Sequence, residues 1–452
     1  MSEYRVGTAR IGWLIAGVAA AAHSAATLAQ ETTAPATTET PAATEAPAAG
    51  EPVGEAADGT VDVETHPGHP TRTSASGHEY EAPGHPGIFS WSPASLIIPP
   101  IQEGTDWLKE NARLDIGFRA AFGFQQATTG PGNRTAASQD YRVYATFNAI
   151  NWEEGKQGWA GNVYTRFEFR DKIGDVAPYF LNNEIGTLAT TTYGQDEHAP
   201  AIVQLYWEQF LFDGAFRLRV GKLDPDDYFN LGRFADDYRY FDNTLFSAFP
   251  ASNHPSGGLG FNLQWYASPE WTVTAGLSDV QGRKTLSGFN TIGDGNFFYG
   301  VDVTYSPEIE GFGRGNYRVG YEYRDSVPGE KPEDSTVYLN IDQEIVENLA
   351  PFLRTSWSTG RSTGVKYTVA LGLGIDDPFG RKGDAFGIGA GIVVANDKDT
   401  ANDMEIPTEI FYRWQVTSAI QAMLGYQIII DPVNNPDEDV IGVFQARWVI
   451  DF

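Results

Sequence analysis

Arginine recurs on alternate positions through the C-terminal three-quarters of the chain, and that spacing is where its chemistry begins. Arg166 and Glu168 stand two apart, as do Arg217 and Arg219, and Arg142, Arg354, Arg413 and Arg447 lie in runs of the same kind. Side chains two apart on a strand share a face, so each run presents guanidinium groups on one side. Between these runs lies an acidic stretch with Asp224, Asp226, Asp227, Asp236, Asp237 and Asp242, mixed with Arg233, Arg239, Tyr228, Tyr238, Tyr240 and Phe241. Folded against the arginine face, it would set opposed charges across a gap, with a transverse field and fixed donors and acceptors. That suits a neutral polyhydroxylated solute, because guanidinium forks and carboxylates exchange hydrogen bonds with hydroxyls. Aromatic faces such as Tyr144, Tyr164, Tyr206 and Phe298 can contact a sugar ring. The same charges have a plainer use, in which Arg–Asp pairs simply hold the acidic stretch in place. The candidate lining is therefore Arg142, Arg166, Glu168, Tyr206, Glu208, Arg217, Arg219, Asp227, Arg233, Arg239, Asp242, Arg354, Arg413 and Arg447.

Other chemistries find less support. With no cysteine there is no disulfide, thiolate metal site or cysteine nucleophile. A Ser/His/acid set would have to be assembled from His254 and Ser256 without a supporting motif, so no enzyme is expected. Gly387-Ile388-Gly389-Ala390-Gly391 looks like part of a nucleotide loop but sits in an alternating run, which reads as a strand with one small-residue face. Asp224-Pro225-Asp226-Asp227 lacks a full calcium loop. No metal or cofactor is implied. Against 59 Asp+Glu there are 31 Lys+Arg, a net charge of −28, which opposes a nucleic-acid partner.

The elements that must position these residues follow from alternation. Arg113 to Phe122 places Leu114, Ile116 and Phe118 on one face and Asp115 and Arg119 on the other, and the pattern recurs at 162–170, 316–324 and 410–416. Such runs predict strands near 113–124, 140–152, 159–171, 201–213, 215–223, 257–267, 271–281, 296–306, 316–325, 334–343, 351–360, 364–375, 384–395, 405–417, 419–430 and 440–452, sixteen in all. Long connections at 125–139, 172–200, 224–256 and 282–295 alternate with short turns at 153–158, Asp213-Gly214 and Ser268-Pro269-Glu270. Long loops on one side and tight turns on the other are the habit of a transmembrane antiparallel β-barrel. Lipid offers the backbone no partners, so a spanning sheet must close on itself. The apolar face then meets lipid and the polar face lines the lumen. An arginine at mid-membrane on the lipid face would cost ~2–4 kcal/mol, which assigns the arginine face to the inside. Trp152, Trp159 and Trp271 flank short turns, where amphipathic rings prefer the headgroup level.

The N-terminal quarter is different material. Arg5 and Arg10 precede apolar Ile11 to Ala22 and a small-residue exit at Ala29, the form of a cleaved secretory signal peptide over 1–29. Residues 30–87 are rich in Ala, Pro, Thr and Glu, with ten acids against Arg72, and read as a disordered, self-repelling tether. It carries His66, His69, His78 and His85 among prolines and glycines. Residues 88–112 form a short plug or periplasmic lead-in, with a helical turn expected at Thr105 to Lys109. The barrel domain spans 113–452 and ends in an alternating strand closed by Phe452.

From 113 to 452 the chain resembles the carbohydrate-selective porin family, OprB type. The resemblance rests on Arg217-Leu218-Arg219-Val220-Gly221-Lys222-Leu223-Asp224, Phe246-Ser247-Ala248-Phe249-Pro250, Pro255-Ser256-Gly257-Gly258-Leu259-Gly260, Tyr317-Arg318-Val319-Gly320-Tyr321, Asp376-Asp377-Pro378-Phe379, Glu409-Ile410-Phe411-Tyr412-Arg413 and Tyr426 to Pro432. It implies a sixteen-stranded barrel in the bacterial outer membrane that passes sugars passively, with the third external loop folded into the pore. Two departures stand out, the acidic tether and Ala422-Met423-Leu424-Gly425 where a proline-containing stretch is expected. The partners implied are sugars, outer-membrane lipid and the assembly machinery that reads Phe452; a homo-oligomer is compatible. The alternatives are a general or ion-preferring porin of the same fold, and a barrel anchor whose tether binds the cell wall.

Overall fold

A computed structural model describes residues 98–150, 160–252, 254–359, 362–396 and 400–452. The signal peptide, the tether with its histidines, Trp152 and Trp159 lie outside the described residues. The strands, in chain order, are β1 (Leu114–Ala127), β2 (Thr135–Ile150), β3 (Gly161–Lys172), β4 (His198–Leu211), β5 (Phe216–Leu223), β6 (Gly258–Tyr266), β7 (Trp271–Asp279) and β8 (Phe297–Tyr305). They continue with β9 (Glu308–Ile309), β10 (Gly313–Arg324), β11 (Asp334–Gln343), β12 (Leu349–Ser358), β13 (Val365–Asp376), β14 (Ala385–Ala395), β15 (Met404–Gln415), β16 (Ile420–Ile430) and β17 (Val440–Asp451). Strand β9 is only two residues folded against the start of β10, so sixteen strands form the wall, as the alternation predicts.

Successive wall strands pair antiparallel, β8 with β10 across the short β9, and β17 pairs with β1, closing the sheet. Closure leaves no edge, which is the condition for crossing lipid. At the seam Phe122 faces Trp448, and Phe452 exchanges backbone hydrogen bonds with Phe118 at 2.8 and 3.1 Å. Their rings stack at 5.4 Å, and Arg119 donates to both oxygens of Asp451 at 2.7 and 3.2 Å.

The two faces separate as a barrel demands. Phe167, Leu205, Trp265, Val319, Trp357, Leu371, Ile410 and Trp448 are exposed on the outer face. The arginines of β1 to β17 alternate with them and point inward. Near the short turns Trp271 stacks on Tyr305 at 4.6 Å and Phe216 on Trp265 at 6.0 Å, part of an aromatic girdle. No helix among the described residues is long and apolar enough to cross a membrane.

Two local expectations need correction. The first external connection is short, 128–134 rather than 125–139, because the β1–β2 ladder runs on to Gln126 and Thr135. There Gln126 breaks the apolar alternation of the outer face while inward Gln125 keeps it, and the ladder pairing continues regardless. The expected turn at Thr105 to Lys109 is instead part of helix α1, Ile98–Ala112. Pro99 and Pro100 fall in the first described turn, where a missing N–H leaves nothing unsatisfied. Lys109 closes onto Asp115 at 3.1 Å as the chain enters β1.

Candidate functional site

The long connection 224–257 folds into the barrel. It starts in a 3-10 turn at Pro225–Asp227 and carries the short helix α2, Thr244–Ser247. Its residues reach wall strands on both sides of the lumen, and one side is apolar. Phe234, Phe241, Leu245 and Phe246 pack with Phe352, Phe411 and Met423 in a single buried cluster. Glycines make room for it. A Cβ added at Gly387 would stand 2.8 Å from Phe241, one at Gly389 2.7 Å from Phe246, and one at Gly391 3.0 Å from Leu245. The small-residue face of β14 is thus a socket for the loop's rings, which explains a glycine run that weakens a strand.

The loop's backbone is also held. Glu409 on β15 accepts the Asp242 and Asn243 N–H groups at 2.8 and 2.9 Å, and Asn243 Nδ2 donates to Gln427 at 2.8 Å. Four residues earlier on the same face, Glu405 accepts from Leu188 and Ala189 at 2.8 and 2.7 Å, fixing the connection 173–197. Inward glutamates of one strand therefore anchor two loops.

Most of the candidate lining residues turn out to engage this loop. Arg166 donates to Asp227 at 2.9 Å and Asp224 at 3.3 Å, and lies 2.8 Å from Glu168. Burial, with Asp224 and Asp226 close by, pushes the Asp227 carboxyl up to about 7 against the pull of Arg166. Arg142 pairs with Asp140 at 2.8 Å and lies under the Tyr238 ring, 4.4 Å from its centroid. The Tyr238 hydroxyl donates to Asp140, and Arg119 stacks on the same ring at 4.8 Å. Arg233 reaches Asp376 at 3.3 Å and Glu344 at 3.5 Å. Arg354 donates to the Asn230 and Ala248 carbonyls at 3.3 and 3.2 Å, and Arg413 to the Arg239 carbonyl at 3.1 Å. Arg239 lies 3.8 Å from Asp236. Arg447 is bonded to Asp242 and donates to the Tyr240 carbonyl at 3.1 Å. A buried charge needs partners: Arg142, Arg166, Arg233 and Arg447 meet carboxylates, whereas Arg354 and Arg413 rest on carbonyl oxygens of the loop.

Arg217 and Arg219 make a second, smaller group nearer the short turns. Both place Nε on Glu208 Oε2, at 2.5 and 2.9 Å. Arg219 also donates to Asn262 at 3.0 Å and Gln264 at 2.9 Å, beneath the Tyr228 ring at 4.6 Å. Tyr206 lies next to this group but packs with Tyr164, Tyr228, Phe229 and Phe298, its ring 4.9 Å from that of Tyr164. The four aromatics proposed from sequence therefore gather in one patch, with Tyr144 against its edge.

Glu405 and Glu322 are not singled out in the sequence. Tyr238 and Asp226 stand there only as members of the mixed acidic stretch, Glu409 only within a family motif, and His254 only as a catalytic candidate without a supporting motif. Glu405 and Glu409 alternate correctly with the outer residues of β15, so a buried acid on an inward face was the available signal.

A closed sixteen-stranded barrel with a loop folded into its lumen defines a porin. Residues 158–449 match the family described as carbohydrate-selective porin, OprB family. The chain belongs to that family. It is a channel protein rather than an enzyme, and family and fold place it in the outer membrane of Gram-negative bacteria. Among solved structures, the high-pH form of OprB from Pseudomonas putida is 16% identical with a TM-score of 0.61, covering 77% of this chain and 96% of that one. Its low-pH form is 14% identical with a TM-score of 0.50, covering 81% and 100%. At these identities the likeness is one of fold. No curated protein matches the sequence.

Proposed function

We propose that the protein passes mono- and short oligosaccharides by passive diffusion, through a constriction between loop 224–257 and the polar inner wall. The observation that carries this reading is the Glu208, Arg217 and Arg219 group. Two guanidinium forks share one carboxylate, two side-chain amides stand beside them, and a tyrosine ring lies on top. Such a set offers donors, acceptors and an aromatic face in one place. The other candidate arginines hold the loop and shape the passage, and this group is the one assigned to solute hydroxyls. Export through the signal peptide and delivery by recognition of Phe452 complete the reading.

The test is single-channel conductance in a planar bilayer, titrated with glucose and short oligosaccharides. Saturable block of the ion current is expected. Open channels without block would replace the sugar channel by a general porin. Properly folded protein that opens no channels would shift attention to the tether and an anchoring role.

A further inference from the structure

The inward loop returns to the wall through a cluster that sugar passage does not use. The His254 side chain is only 4% exposed and meets carboxylates on two different elements. Its Nδ1 is bonded to Asp226 at the start of the loop, and its Nε2 lies 2.6 Å from Glu322 on β10. Asn230 Nδ2 stands 3.2 Å from the same Nε2, and the Phe298 ring is edge-on at 5.0 Å. Ser252 donates to Glu322, and Tyr193 of the connection 173–197 donates to Asp226. One imidazole thus joins both ends of the loop to the wall. The charged and titratable groups around it are Asp226 and Glu322 in direct contact, Tyr193 behind Asp226, and Asp302, Tyr338, Arg324 and Asp334 near Glu322.

A neutral imidazole has one N–H and one lone pair, so it would turn that lone pair toward a carboxylate. Only the imidazolium donates from both nitrogens. Burial disfavours the charged ring, but Glu322 and Asp226 outweigh it and hold the His254 pKa well above the ordinary value. A raised folded-state pKa contributes stability in full below the unfolded value and loses it as pH rises through the folded one. The bridge is therefore intact at neutral pH and fails on the alkaline side.

We propose that His254 is a protonation-dependent latch on the inward loop, closed while the imidazolium spans Asp226 and Glu322 and released when the ring loses its proton. Release removes the imidazole tie between Asp226 and β10, while Arg354 on the Ala248 carbonyl and the glycine socket still hold the rest of the loop. The passage then fluctuates rather than emptying. The current readout rests on the channel reading of the protein; the titration of the ring does not.

The experiment uses the full barrel in detergent and in planar bilayers. The histidine ring signals are titrated by NMR from pH 5 to 10, with His254→Gln assigning the resonance, and single-channel traces are recorded over the same range. The wild type is expected to titrate His254 above pH 7 and to pass from steady to fluctuating current at that same pH. His254→Gln should fluctuate at every pH. Glu322→Gln and Asp226→Asn, which keep the histidine, should each lower its titration and the onset of fluctuation together by at least one pH unit, a tenfold change in proton affinity. A His254 ring that titrates below pH 7, or one whose titration is unmoved in both carboxylate variants, overturns the latch. So does an alkaline transition that survives in His254→Gln. Normal ring titration with no channels in any variant would sustain the bridge and defeat the channel reading alone.

Discussion

Replacing Phe241 with alanine should convert a fixed constriction into a fluctuating one. Phe241 is fully buried, with ring centroids of Phe411, Phe246 and Phe352 at 4.9, 5.0 and 5.4 Å. It seats the loop against β14, and no backbone hydrogen bond depends on its ring. Removing a buried phenylalanine costs about 3–5 kcal/mol, and edge-to-face partners place this site toward the upper end. The loss falls on docking of the loop, because the barrel ladder itself is untouched. At about 1.4 kcal/mol per factor of ten, undocked loops become roughly a hundred to several thousand times more populated. A loop that wild type releases about once in ten thousand would then be free for a per cent to tens of per cent of the time. The assay is single-channel recording of Phe241→Ala beside wild type, with folding checked by the heat-shifted mobility of the barrel on a gel. We expect added high-conductance excursions and weaker sugar block, with a smaller effect for Phe241→Leu. A folded Phe241→Ala barrel whose current and block match wild type would refute the claim that the glycine socket fixes the loop.

Arg217→Ala and Arg219→Ala should each assemble and each weaken sugar block, since Glu208 keeps one guanidinium in either variant. The double variant leaves Glu208 buried and unpaired, at about 3–5 kcal/mol, so its folded yield should fall by more than the two single losses combined. Gly389→Val should mimic Phe241→Ala, because its side chain would meet Phe246 where a Cβ already comes within 2.7 Å; unchanged traces would show that the loop adapts. Deleting Phe452 removes two seam hydrogen bonds and a stacked ring, and the amount of barrel in the outer membrane should drop measurably against wild type.

Much of the architecture was legible because a membrane barrel obeys a strict local rule. Leu114, Ile116 and Phe118 against Asp115 and Arg119 already say which face meets lipid, and period two propagates that answer along each strand. The strand count and the inward placement of Arg166, Arg217 and Arg447 followed from this repetition, whereas the family resemblance rested on short motifs such as Arg217 to Asp224. The limits of strands were less legible. The outer face of β1 loses its apolar alternation at Gln126, so the ladder with β2 continues there without a signal.

Pairing between distant residues was decided only by the tertiary structure. Sequence placed Asp242 in an acidic stretch and Arg447 in the last strand; folding the loop inward brought them into contact across the lumen. Arg166 was equally legible as a pore group, yet its engagement with Asp224 and Asp227 makes it a fastening of the loop. The glycines of β14 were correctly read as a small-residue face, while the loop rings that enter it, Phe241 and Phe246, lie more than a hundred residues away in sequence. Alternation fixes the side of the wall on which a side chain falls, because that is set by its own backbone. Which partner it meets there depends on the path of a loop through the lumen, and that path is the sum of contacts no local pattern contains.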